Sequence, residues 1–166
     1  MKRLIILTVA CLTVMAAAAQ AAGLRIGELF DGRYGNDPSV SQTLLSGDNS
    51  FLRSHKLTTF ATFRGPEATY EKILRPMVLA DGSKAESRNV RYSDGKLSYA
   101  FFALPPVSDK SKDSRYIYYI NPVGKKKEDV MLVYFDGPIG AEDASKLISR
   151  IANPTSQKSN DMLTNK

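Results

Sequence analysis

The chain has 166 residues, 43% of them hydrophobic and 24% charged, a size that suits one domain with a substantial core. Its formal charge of +6 comes from 23 Lys and Arg interspersed with 17 Asp and Glu. The basic stripe of a nucleic-acid binder is missing, which excludes nucleic acid as a partner class.

Lys2 and Arg3 open the chain, Leu4 to Ala19 are uncharged and mostly apolar, and Ala19-Gln20-Ala21 supplies small residues at a cleavage site. That order marks 1–21 as a secretory signal peptide and places the protein in the periplasm or outside the cell. Removing 21 of the 166 residues leaves 145, and losing Lys2 and Arg3 leaves 21 bases against 17 acids, or +4. Cys11 could be an acylated lipoprotein cysteine, but Thr8 stands where leucine is preferred and Leu12 to Ala19 stay apolar. The pattern favours ordinary cleavage after Ala21. No later apolar run approaches the ~18–20 residues of a membrane helix, so no transmembrane segment is expected after the leader.

The domain is expected over 22–153. Ile26, Leu29 and Phe30 give a short amphipathic helix ended by Gly32 and Gly35, and Asn36 to Ser50 reads as loop with one apolar island at Leu44-Leu45 and room for a brief strand or turn of helix. Leu57 to Phe63 alternates as a strand. Tyr70, Ile73, Leu74 and Met77 recur at helical spacing, with Pro76 ending or kinking that helix near Arg75. Ser93-Asp94-Gly95-Lys96 is the clearest local signal, because Asp-Gly between alternating runs favours a two-residue hairpin turn. Strict pairing out from that turn sets Tyr92 against Leu97, Val90 against Tyr99 and Arg88 against Phe101. It puts Val90, Tyr92, Leu97, Tyr99 and Phe101 on a core face. The opposite face then carries Asn89, Arg91, Ser98, Ala100 and Phe102.

Tyr116 to Ile120 and Val130 to Phe135 are apolar at both parities, as central strands covered on both sides are. Ala141 to Ile151 is an amphipathic helix, Asn153-Pro154 stops it, and 154–166 is a polar tail. The expected fold is α+β, an antiparallel sheet of four to five strands packed with two to three helices.

Chemistry-bearing residues are sparse. Without the leader the chain has no cysteine, and its one histidine, His55, stands in a basic loop between Ser54 and Lys56. This leaves no catalytic residue, metal ligand set or cofactor site to assign. Aromatic platforms with nearby polar groups suit sugars and peptides. The opposite hairpin face and the next strand offer Arg91, Phe102, Tyr116 and Tyr118 as a candidate binding patch, unless a helix or loop lies over them.

Three stretches, LRIGELFDGRYG, FRGPEATYEKILRP and VYFDGPIGAEDASKLISRI, resemble small exported Bacteroidota proteins of a domain-of-unknown-function family. The resemblance implies an envelope or secreted location and carries no functional residue. The leading expectation is a non-enzymatic exported domain that binds a protein, peptide or glycan through one sheet face. The rivals are a carboxylate-dependent hydrolase acting on glycan, which needs two converging acids, and a structural subunit that self-assembles as a homo-oligomer.

Overall fold

The computed structural model describes residues 21, 23–123 and 128–152. The rest of the expected leader with Cys11, the Lys125–Lys127 run and the tail 154–166 lie outside the described residues. A 3-10 helix at Arg25–Phe30 leads into β1 (Ser41–Ser46), a short helix α1 (Ser50–Ser54) and β2 (Thr59–Pro66). Then follow α2 (Glu67–Gly82), β3 (Ser87–Ser93), β4 (Lys96–Leu104), β5 (Ser114–Ile120), β6 (Asp129–Gly137) and α3 (Ala141–Ala152). The strands form one antiparallel sheet in the order β1-β2-β6-β5-β4-β3. The class is α+β as expected, with six strands instead of four to five, and with three α-helices and one 3-10 helix among the described residues. The added strand is β1. As an edge strand it packs Leu44 against one sheet face's core and Leu45 against the other, and its remaining residues are polar, so most of it reads as loop.

Both sheet faces are covered. The 3-10 helix and α2 close one, over Phe63, Leu97, Ala100, Phe102, Leu104, Ile117, Tyr119, Leu132 and Tyr134. Helices α1 and α3 close the other, over Phe60, Tyr116, Tyr118, Met131, Val133 and Phe135. The central strands β5 and β6 are therefore buried at both parities, which explains their unbroken apolar runs. Asp81, buried near the end of α2, accepts the backbone N–H groups of Arg25 (2.8 Å) and Ile26 (2.9 Å) and so ties the 3-10 helix to α2. Ala21 packs into the same core at 4% exposure. No helix among the described residues is long and apolar enough to cross a membrane.

Helix α2 runs through Pro76 to Gly82 and does not end near Arg75. Proline costs this helix one backbone hydrogen bond. Burial of Leu74 before Pro76 and Val78 after it carries the helix across the break.

The hairpin turn has positive φ at both Asp94 (50°) and Gly95 (74°), the requirement of a two-residue primed turn. Ser93 pairs with Lys96 and Tyr92 with Leu97 as expected. Beyond them the register shifts: Arg91 pairs with Tyr99 and Val90 with Ala100. Ser98 is the extra residue, a β-bulge whose hydroxyl donates to the Arg91 carbonyl (3.1 Å) and whose own carbonyl accepts from Asn121 N–H (2.9 Å). One inserted residue reverses the parity of β4, so Ala100, Phe102 and Leu104 join Leu97 on the α2 face. Tyr99, Phe101 and Ala103 turn to the other face, and Tyr92 is 60% exposed. The expected face assignment is thus inverted beyond Leu97.

Candidate functional site

Helices over both sheet faces bury most of the expected patch of Arg91, Phe102, Tyr116 and Tyr118, and the bulge sets Phe102 on the face opposite the two tyrosines. Phe102 is 2% exposed and lies under α2, where Gly82 leaves room for its ring. Tyr116 and Tyr118 are buried on the opposite face. Tyr116 stacks between Phe101 (5.7 Å) and Phe135 (5.1 Å), and its hydroxyl donates to the Ile139 carbonyl at 3.3 Å. Burial first, and then Tyr99, push the Tyr118 hydroxyl up to about 12. Only Arg91 is exposed, with its guanidinium 5.0 Å from the Tyr99 ring centroid. Three of the four residues are core, and they divide between two faces.

His55 is half-buried at the C-terminal end of α1 and not free in a loop. Its ring packs on Phe51 at 4.4 Å, and its Nδ1 lies 2.9 Å from both the Phe51 carbonyl oxygen and Ser54 Oγ. It borders a shallow cleft of about 180 Å³ with Lys56, Asp143, Lys146 and Arg150. Lys56 pairs with Asp143 (3.9 Å), and Lys146 pairs with Glu142 (2.6 Å), which stands outside the cleft lining. Exposed pairs of this kind contribute little energy and mark no chemistry.

A different place stands out, at the seam where the first turns of α2 meet the ends of β4 and β5. Gly65-Pro66 delivers the chain into α2, and Glu67, Glu71 and Arg75 follow at intervals of four, which puts them on one stripe of the helix. Lys96, the first residue of β4, donates to Glu67 at 2.6 Å. Arg75 pairs with Glu71 at 3.1 Å. Tyr119 shares its strand face with Ile117 and so reaches toward α2 from below. Asn121 follows the end of β5, held by its backbone N–H to Ser98 and by its carbonyl, which accepts from Val123 N–H at 2.8 Å.

The electrostatics show that these groups share one environment. Lys96 holds the Glu67 carboxyl below its ordinary value, with Asn121 acting in the same direction. The Tyr119 hydroxyl is pushed up, first by burial and then by the Glu71 carboxylate, against an opposing effect of Asn121. The seam has a charged, partly exposed rim of Glu67, Lys96 and Arg75 over a buried floor of Glu71, Tyr119 and Asn121.

That floor is unusual in its hydrogen bonding. The Tyr119 hydroxyl and both amide atoms of Asn121 are buried and lack a well-aligned hydrogen bond, while the Asn121 side chain lies close enough to act on both Tyr119 and Glu67. Glu71 Oε1 has its ion pair with Arg75 but no aligned hydrogen bond. Each unmet buried polar atom costs roughly 1–3 kcal/mol. Buried polar groups so placed call for a better-aligned partner, a bound water or a ligand group.

A second buried carboxylate, Asp136, lies at the other end of the sheet. It accepts from the Tyr134 hydroxyl at 2.7 Å, and burial raises its pKa above the ordinary carboxylate value. It belongs to the packing of β2 on β6, where Thr58 N–H donates to its carbonyl. No group of three or more His, Cys, Asp or Glu able to hold a metal is found among the described residues.

None of the seam residues is singled out by sequence reasoning. The spacing of Glu67, Glu71 and Arg75 was the available signal. Its meaning depends on Tyr119 and Asn121, which lie far along the chain and meet the helix only once α2 is known to cover that face. A model of the family of unknown function DUF6108 matches residues 12–148, and the chain belongs to that family. No curated protein and no solved structure matches it.

Proposed function

We propose that this protein is a non-enzymatic binding domain of the bacterial envelope, exported by the leader 1–21, cleaved near Ala21, and taking a polar ligand in the α2–β4–β5 seam. One observation carries the reading: the buried polar side chains of Glu71, Tyr119 and Asn121 gather, with incomplete hydrogen bonding, beneath a rim of partly exposed charge. The likeness to exported Bacteroidota proteins agrees with the envelope location. With both sheet faces under helices, the seam replaces the bare sheet face as the place of binding.

The chemistry of the seam favours binding over hydrolysis. A glycan-cleaving acid pair needs one carboxyl that keeps its proton near neutral pH, which demands a raised pKa. Glu67 is moved the other way, chiefly by Lys96. Glu71 is engaged with Arg75. Edge-to-edge self-assembly is opposed by β3, an edge strand exposing Arg88 and Arg91.

Amide NMR of the purified chain against neutral, acidic and basic small molecules tests the proposal. At least one class should move the Glu71, Tyr119 and Asn121 signals together. Silence at all three across the whole panel would sink it.

A further inference from the structure

A second place, independent of the seam, has both room and surplus charge: the cleft of about 180 Å³ between the end of α1 and α3. We infer that it binds a phosphate monoester. The backbone sets its position. Gly137, at the end of β6, packs on the Lys56–Thr58 chain so closely that a Cβ there would fall 2.4 Å from the Lys56 carbonyl oxygen. That approach seats the connection 137–140, and α3 after it, beside the turn that ends α1. Ile139 (3% exposed) and Leu147 (4%) give the cleft an apolar floor. Around it stand the exposed side chains of Lys56, Lys146 and Arg150, with one acid, Asp143. Lys146 and Arg150 are four residues apart and so share a face of α3. The last carbonyls of α1 add no free negative end, because Phe51, Leu52 and Arg53 accept from the N–H groups of His55, Leu57 and Lys56.

Charge selects the ligand. Three cations against one carboxylate leave the lining two positive charges in excess. A phosphate monoester carries about −1.5 to −2 at neutral pH, whereas a carboxylate would balance only half of the excess. Arg150 has no ion-pair or hydrogen-bond partner among the described residues, and its planar fork fits two oxygens of one oxyanion. The lysines have partners that yield. Lys56 meets Asp143 only at 3.9 Å, and Glu142, which holds Lys146, has a side chain 82% exposed. Such pairs break at little cost, which lets both ammonium groups turn to an incoming anion. Lys56 also holds φ at 57°, just past a helix end, where glycine fits most easily. The chain thus carries a cation at the cleft against a backbone preference. Ser54 Oγ and His55 Nδ1 both bond the Phe51 carbonyl (2.9 Å each) and leave the anion to the three cations.

Methyl phosphate and acetate, titrated into the purified chain at equal ionic strength and above the second phosphate pKa of about 6, test this by amide NMR. Methyl phosphate should move the Lys56, Lys146 and Arg150 signals and leave Tyr119 and Asn121 in place, with acetate at least about fivefold weaker. Arg150→Gln should weaken methyl phosphate about tenfold, the loss of a charge-assisted contact. Asp143→Asn should act the other way and tighten it about threefold, because it removes the repelling charge and frees Lys56. Both side chains are exposed, so both variants should melt as the parent does. Vesicles of phosphatidic acid in phosphatidylcholine identify the source. Cosedimentation that Arg150→Gln abolishes assigns the phosphate to a lipid headgroup, and methyl phosphate binding without cosedimentation assigns it to a soluble molecule. The assignment is overturned if the cleft signals ignore methyl phosphate, if acetate binds as tightly, if Arg150→Gln binds as the parent does, or if Asp143→Asn does not tighten binding.

Discussion

Replacing Gly82 by alanine and Phe102 by alanine, singly and together, tests whether β4 turns Phe102 into the core. A Cβ on Gly82 would fall 2.4 Å from two atoms of the Phe102 ring and 2.7 Å from a third, where ordinary contact begins near 3.4 Å. The ring, at 2% exposure, or the end of α2 must therefore shift by about an ångström. Overpacking of this kind costs roughly 1–3 kcal/mol. Phe102→Ala alone leaves a cavity under the helix and should cost about 3–5 kcal/mol. In that background the Gly82 methyl enters vacated space, so Gly82→Ala becomes neutral or gains up to roughly 1 kcal/mol of helix propensity. The two changes should couple by about 1–3 kcal/mol, read from urea midpoints at constant slope. If Phe102→Ala costs under roughly 1 kcal/mol, or the pair adds to within about 0.5 kcal/mol, Phe102 does not lie beneath α2.

Gly95→Val should cost about 1–2 kcal/mol, because a β-branched residue is strained at the turn's φ of 74°; an unchanged thermal melt would contradict this turn. Asp81→Ala frees the Arg25 and Ile26 N–H groups and should cost roughly 1–3 kcal/mol, with faster amide exchange in the 3-10 helix; exchange as slow as in the parent would refute the tie. The Asp136 pKa is raised, so this group's favourable contribution is full below the ordinary value of 3.8 and is lost as pH rises through its folded value. Asp136→Asn should flatten the fall of stability over that window, and parallel stability–pH curves for the two proteins would show that the carboxyl is not the cause.

The sequence carried the parts of the fold that repeat regularly. Both-parity apolar runs at Tyr116–Ile120 and Val130–Phe135 identified central strands, and Asp94-Gly95 identified the hairpin and its turn. What escaped was irregular. Ser98 looks like any polar strand residue, yet as a bulge it turns every later β4 side chain to the other face. The parity change moves Phe102 away from Tyr116 and Tyr118, and the helices over both faces bury all three. Edge strand β1 shows in the sequence only as the Leu44-Leu45 island, because its other residues are polar and none of the six is fully buried. Pro76 reads as an end or a kink of the helix, and the end is ruled out because burial on either side of it carries the helix through. The seam was out of reach for another reason. Tyr119 reads as core and Asn121 as a loop residue before proline. Their shared polar character appears only when α2 brings Glu71 above them.

The most direct test of the binding site is a high-resolution crystal structure of the chain grown with and without the small molecule that moves the Glu71, Tyr119 and Asn121 signals most. The account predicts that molecule's polar atoms within hydrogen-bond distance of the Tyr119 hydroxyl and the Asn121 amide, with Glu67 and Lys96 at its rim. The contrary result is a Tyr119 hydroxyl and an Asn121 amide bonded to protein groups, or to the same waters in both crystals.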